Sequence, residues 1–207
     1  MRITAIKAQI KNTERVSVYL DGKYSFSLTQ SQLLELKLHS GMEVSEQELE
    51  AFRKASDYGK LLERTMNYVM IRPRSIREVR DYFWRKKADP EVGEQIIQKL
   101  ESRGYLGDAA FAKSWVRARQ LTKPVSKRRL TAELMQKGVR SDLIEQALNG
   151  DSEDNQYDEA EALREIIRKK SKQARYQDEQ KLMQYLARQG FGYDLIKNTL
   201  SEIQSED

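Results

Sequence analysis

The strongest constraint on this chain is that its helical part repeats. Set in register at Ser75, Ser126 and Asp178, three segments roughly fifty residues apart carry one pattern. Each begins with a side chain suited to capping a helix N-terminus. Val79, Leu130 and Leu182 follow at the same offset from the cap, and Phe83, Leu134 and Leu186 stand one turn further on. Positions i, i+4 and i+8 share a helix face, so each segment presents one apolar stripe for burial. In the second and third copies Lys137-Gly138-Val139 and Gln189-Gly190-Phe191 end the helix with a glycine suited to the left-handed C′ position and an apolar residue after it, whereas the first copy has Lys86-Lys87. Ile144 and Leu148 then match Ile196 and Leu200 at identical offsets, and Ile96 and Leu100 match them after a three-residue insertion around Ala88-Asp89-Pro90. A further helix therefore closes each unit.

An opening helix precedes each cap. Leu62, Met66, Val69 and Met70 lie on one helical face in the first copy, Phe111, Trp115 and Ala118 carry the second, and Ala160, Leu163 and Ile167 the third. Pro73 and Pro124, each two residues before a serine cap, stop the first two. The expected fold is mainly α: three tandem three-helix repeats forming an elongated, curved body, in which each repeat contacts mainly its neighbours. The expected divisions are 1–44, 45–106, 107–150 and 151–207, with the acidic stretch from Gly150 to Asp158 as the flexible joint.

Residues 1–44 have a different period. Val16, Val18 and Leu20 alternate with polar residues, Asp21-Gly22 supplies a tight hairpin turn, and Tyr24, Phe26 and Leu28 alternate again. A third strand is expected around Ile6, Ala8 and Ile10, covered by a helix from Thr29 to Leu38. Gly41 breaks the chain, and Ser45-x-x-Glu48 has capping-box spacing, so the period changes near residue 45.

Composition narrows the function classes. A charged fraction of 33% implies extensive solvated helix surface, and the absence of cysteine excludes disulfides and thiolate chemistry. With no apolar run near the N-terminus and none of membrane-spanning length, the cytosol is the expected compartment. His39 is the one histidine, and no glycine-flanked serine accompanies it to build a hydrolytic triad. No glycine-rich phosphate loop occurs. Asp151, Glu153, Asp154 and Asp158 lack the turn glycine and ligand spacing of a calcium loop and read as a solvated linker. Tyr68, Tyr82 and Tyr185 lie on or beside apolar stripes, as core tyrosines do, rather than as nucleophiles. Neither an enzyme nor a resident cofactor or metal is expected.

The basic residues are the more informative signal. Lys113, Arg117, Arg119, Lys123, Lys127, Arg128, Arg129, Lys137 and Arg140 face only Glu133 within their span. Arg72, Arg74, Arg77, Arg80, Arg85, Lys86 and Lys87 form a second cluster, offset by Glu78 and Asp81. Isolated charges read as a solvated helix face; clusters at equivalent places in consecutive repeats favour an anionic partner, either phosphate or an acidic protein surface. Trp115, one turn after Phe111, is expected in the core. Trp84, between Phe83 and Arg85, is open to two readings, packed residue or exposed interface anchor. The candidate binding residues are thus Arg72, Arg74, Arg77, Arg80, Trp84, Arg85, Lys86, Lys87, Lys123, Lys127, Arg128 and Arg129.

Several of these motifs resemble a known family. Arg72-Pro73-Arg74-Ser75 with Glu78-Val79-Arg80, and Gly104-Tyr105-Leu106-Gly107-Asp108 with Phe111-Ala112, are similar to the signature of RecX proteins. Leu130-Thr131-Ala132-Glu133-Leu134 with Lys137-Gly138-Val139 resembles the family's second repeat, and Tyr185 to Phe191 with Tyr193 and Ile196 its third. Gly107-Asp108 departs from a paired acidic motif and leaves Asp108 as the expected cap of the next helix. The resemblance implies a monomeric, non-enzymatic regulator that binds within the groove of the RecA recombinase filament, limits its extension and damps its recombination and ATPase activities in DNA repair and the SOS response. Direct contact with single- or double-stranded DNA is the alternative, as in a general nucleic-acid-binding repeat protein.

Overall fold

A computed structural model describes residues 1–10, 12–150 and 156–206. The chain forms two compact units, residues 1–71 with 88–92, and residues 72–87 with 93–207. The acidic joint expected between the second and third repeats falls largely on residues 151–155, outside the described residues.

In the first unit, β1 (Ile3–Ala8), β2 (Arg15–Leu20) and β3 (Lys23–Thr29) form an antiparallel sheet in the order β1-β2-β3. Asp21 and Gly22 both adopt positive φ, 46° and 82°, as the two-residue hairpin turn requires. A register shift between Val18 and Tyr19 changes the alternation read from sequence. Phe26 and Leu28 are buried, but Tyr24 lies outside, edge-on to Tyr19 at 6.1 Å. The first strand also ends earlier than its pattern suggested, leaving Ile10 fully exposed.

The expected segment covers only part of this sheet, through Leu33, Leu36 and Leu38. Thr29 caps only a short α1 (Gln30–Glu35), which buries no residue. The rest of the cover comes from α2 (Glu46–Ile71), whose Leu49 and Phe52 join Ile3, Val18, Phe26, Leu28 and Val44 in one core. Ser45 and Glu48 form the predicted box, each side chain meeting the other's backbone N–H. Further along α2, Val69 is buried and Met70 is exposed, so Met70 does not share the stripe proposed for it. Arg15 is 5% exposed and held by Glu63 of α2 at 3.2 Å and by Ser27.

The second unit contains α3 (Ile76–Arg85), α4 (Pro90–Ser102, from its second turn), α5 (Asp108–Thr122), α6 (Lys127–Gln136), α7 (Ser141–Asn149), α8 (Glu159–Lys170), α9 (Glu179–Arg188) and α10 (Tyr193–Glu206). Ser75, Ser126 and Asp178 each accept the N3 backbone N–H as N-caps of α3, α6 and α9. The residues in register behind them, Val79, Leu130, Leu182, Phe83, Leu134 and Leu186, are all buried. So are the closing-helix pairs Ile96 and Leu100, Ile144 and Leu148, and Ile196 and Leu200. The chain is therefore mostly helical, built of tandem three-helix domains behind a small N-terminal sheet.

Two details differ from the stripe reading. On α5 the buried set is Phe111, Ala112 and Val116, with Ala118 exposed and Trp115 half-buried. Tyr157, just ahead of α8, enters the core of α5, α6 and α7, where its hydroxyl accepts from Val125 N–H at 3.1 Å and donates to Val125 O at 2.5 Å. That closed pair satisfies two backbone groups which burial would otherwise strand.

Candidate partner-binding surface

The middle helices α3 and α6 carry most of the candidate cations, and their N-termini sit in equivalent joints with the following repeat. Ile76 N–H donates to Asp108 Oδ1 at 2.9 Å, and Lys127 N–H to Glu159 Oε1 at 2.7 Å, each spanning 32 residues. A carboxylate at the start of each following domain thus satisfies an otherwise orphan helix N–H. Asp108 was expected to cap its own helix. That place falls to Gly107, without a side-chain bond, because the Asp108 carboxylate is turned to α3. Burial pushes the Asp108 carboxyl above its ordinary range, against the hydrogen bond from Ile76.

The C-terminal ends of α6 and α9 complete these joints. Lys137 Nζ reaches Glu78 Oε1 at 2.9 Å, while Ser126 Oγ donates to Gln189 O at 2.7 Å. Gly138 and Gly190 have φ of +82° and +94°. A Cβ at Gly138 would fall 2.8 Å from Arg77 Cβ, and one at Gly190 2.7 Å from Ser126 Oγ, so glycine is required there by close approach as well as by conformation.

The joints consume part of the positive charge counted in the sequence. Arg72 forms a two-pronged pair with Glu78 at 2.9 and 3.2 Å. Burial alone would raise the Glu78 carboxyl, but hydrogen bonds from Arg72, Lys137 and Ser75 outweigh it and hold the pKa at about 2. Arg80 pairs with Glu94 at 3.1 Å. Arg129 gives one N–H to Gln189 at 2.8 Å and lies 3.6 Å from Glu133. Arg74 is half-buried beside the Ser75 cap. The Arg77 side chain lies against Gly138.

Other candidates stand free. Lys123, Lys127, Arg128, Arg85 and Lys87 make no ion pair among the described residues, and Lys86 lies over the Tyr82 ring at 5.8 Å. Trp84 is 82% exposed, directly before Arg85, Lys86 and Lys87, which are exposed too. It therefore takes the exposed alternative of its two readings. Trp115 is a hub instead. Its Nε1 donates to Glu133 Oε2 at 3.0 Å, Arg119 donates to the same oxygen at 2.9 Å, and the Arg119 and Lys137 cations lie 5.3 and 5.4 Å from its ring.

Three points escaped sequence reasoning. Glu133 serves Trp115, Arg119 and Arg129 together. Lys169 and Lys170, at the end of α8, join Lys123 and Arg129 around one pocket. His39 is exposed, with Nδ1 3.1 Å from Ser40 O. Only the spacing of Lys169 and Lys170 on the last turn of an amphipathic helix could have pointed to the pocket. Among the described residues no three His, Cys, Asp or Glu side chains are grouped to hold a metal, and no helix is long and apolar enough to cross a membrane.

Together these features define a protein of tandem three-helix domains joined by carboxylate-capped helix ends, with a sheet unit at its N-terminus. Residues 1–45 match the family model for the regulatory protein RecX N-terminal domain, residues 108–148 that for the RecX second three-helix domain, and residues 157–200 that for the third. The chain is 33% identical to the regulatory protein RecX of Bacillus pumilus, over 97% of its own length and 76% of the relative's. It is 31% identical to the regulatory protein RecX of Bacillus subtilis, over 99% and 78%. A crystal structure of regulatory protein RecX superposes with a TM-score of 0.74 at 27% identity, covering 97% of this chain and 98% of that one. RecX from Lactobacillus salivarius shares the fold, with a TM-score of 0.60 at 24% identity over 72% of this chain and 98% of that one. The chain belongs to the RecX family of regulatory proteins.

Proposed function

We propose that this chain binds the RecA recombinase filament and restrains its assembly, and with it RecA's ATPase and recombination activities in DNA repair. It does so as a cytoplasmic binding protein without chemistry of its own. Family membership supports the partner. The observation that carries the surface is the set of cations without ion pairs among the described residues at the middle helices of successive domains: exposed Arg85 at the end of α3 and Lys87 just after it, and half-buried Lys127 with exposed Arg128 in α6. Such charge attracts a polyanion or an acidic protein face with little discrimination, and Trp84 supplies an aromatic contact of the kind that anchors interfaces.

The test is cosedimentation with RecA-coated single-stranded DNA, together with RecA's ATPase rate. Lys127→Glu with Arg128→Glu leaves the joint contacts of Arg129 and Ser126 in place, and Arg85→Glu with Lys87→Glu touches no ion pair. The expected result is loss of inhibition in one or both double variants with an unchanged helical melt, exposed substitutions costing roughly 0.5 kcal/mol or less each. Full inhibition by both folded variants refutes this surface. Equal binding to bare DNA and to the RecA filament favours a general nucleic-acid-binding protein instead, for which Trp84 next to Arg85 is the supporting feature.

A further inference from the structure

A pocket of about 250 Å³ opens between α6 and the last turns of α8 and α9. Its floor is apolar, with Val125 and Phe191 both buried. Its rim carries Lys123, Arg129, Lys169 and Lys170, and no carboxylate lines it among the described residues.

Two of these cations have a carboxylate partner and two do not. Lys123 has no ion pair among the described residues. Lys170 lies over rings, its Nζ 5.0 Å from the centre of Tyr185 and 5.5 Å from that of Tyr176, and makes no ion pair among the described residues. Arg129 gives a hydrogen bond to the neutral Gln189 and shares Glu133 with Arg119. Lys169 alone has an acidic partner of its own, Glu165 on the preceding turn. Even with Glu133 and Glu165 set against them, the four cations leave an excess of positive charge at one small opening, and a phosphate group carries more charge than a carboxylate and accepts several N–H donors at once. The volume lies just below the roughly 300–1,000 Å³ of drug-sized pockets, so it suits one ligand unit rather than a folded partner element. Tyr185, half-buried in the wall, offers ring surface against which a flat, partly apolar body packs above the Val125 and Phe191 floor.

We propose that this pocket binds one nucleotide unit, its phosphate among Lys123, Arg129, Lys169 and Lys170 and its base against Tyr185 over the apolar floor. The unit has two sources, a free mononucleotide or one residue of a single strand. The site shares Lys123 and Arg129 with the candidate basic surface but does not depend on RecA.

The test uses the full-length protein without recombinase, followed by amide NMR shifts and calorimetric titration. The probes are inorganic phosphate, deoxyadenosine 5′-monophosphate, a short oligothymidylate and an oligoglutamate peptide. Nucleotide-induced shifts grouped at Lys123, Lys169, Lys170 and Tyr185 are expected, with affinity falling roughly tenfold or more in Lys123→Ala with Lys169→Ala, since two charge-assisted contacts are lost. Arg85→Ala with Lys87→Ala removes equal charge elsewhere and should leave these shifts intact. Binding of the mononucleotide identifies the free source, and binding of the oligothymidylate alone, with the same shifts, identifies the strand. Absence of pocket shifts with both nucleotide probes overturns the proposal. So does phosphate binding as tightly as the nucleotides, which removes the base from the site, or oligoglutamate displacing them at equal concentration. Because RecA is absent, these outcomes are independent of the filament assay.

Discussion

Replacing Gly138 by alanine should cost more than the same change at Gly104, and the excess measures the joint between the first two middle helices. Both glycines follow a helix end with left-handed backbone, φ +82° and +72°. An added Cβ pays the same conformational penalty at each site, about 1–2 kcal/mol. At Gly104 it meets nothing within 4 Å. At Gly138 it lands 2.8 Å from both Cβ and Cδ of Arg77, and Arg77 Cβ is fixed to the backbone of α3, so the helix end must move. Overpacking of this sort adds about 1–3 kcal/mol. Gly104→Ala should therefore lose about 1–2 kcal/mol and Gly138→Ala roughly 2–5 kcal/mol. Urea denaturation followed by far-ultraviolet circular dichroism reads both values. Equal losses would show that close approach contributes nothing and that the joint has slack.

Glu78→Gln should destabilise by roughly 2–3 kcal/mol at neutral pH. Because folding holds this carboxyl at about 2 against an ordinary 4.5, its contribution is fully present above pH 4.5 and fades as pH falls towards 2; a variant-to-parent gap in melts that stays constant over that range refutes the assignment. Tyr157→Phe strands the N–H and C=O of Val125 and should cost roughly 2–4 kcal/mol, read as earlier hydrogen exchange at Val125. Trp84→Phe leaves Trp115, whose emission should be blue-shifted and poorly quenched by acrylamide, whereas Trp115→Phe leaves the 82% exposed Trp84, with the opposite behaviour. Removing residues 1–44 should unwind the first turns of α2, because Leu49 and Phe52 lose the sheet they pack against; full retention of that helix in amide exchange would show that it stands alone.

The repeated caps and stripes were legible because each is local. A capping serine and an i, i+4, i+8 set are fixed by helix geometry whatever the neighbours do. Features set by tertiary context were not. The alternation at Tyr24 is broken by a strand irregularity that no residue type announces, and Met70 sits on a helix whose buried face is chosen by its packing partners. The covering helix was placed at residues 29–38 because that segment follows the hairpin; its Leu33, Leu36 and Leu38 do pack on the sheet, but its helix is only six residues long and Leu49 and Phe52 of α2 complete the cover. For the candidate surface, residue types identified which side chains are cations but not which are already paired. Arg72 and Arg128 look alike in sequence; one is clamped by Glu78 and the other is not.

That distinction bears on why the basic clusters recur. Some of the recurrence belongs to the joints, since Arg72, Lys137 and Arg129 tie helix ends to Glu78, Gln189 and Glu133. The first copy breaks the rule at its C-terminal end. At the offset of Gly138 and Gly190 it has Lys87, which still takes a left-handed φ of 52°. The backbone turn is therefore conserved among the three copies while the missing Cβ is not. Lys86, at the offset of the Lys137 that closes a joint on Glu78 in the second copy, is exposed together with Lys87 and neighbouring Trp84, so the same position serves packing in one copy and meets solvent in the other.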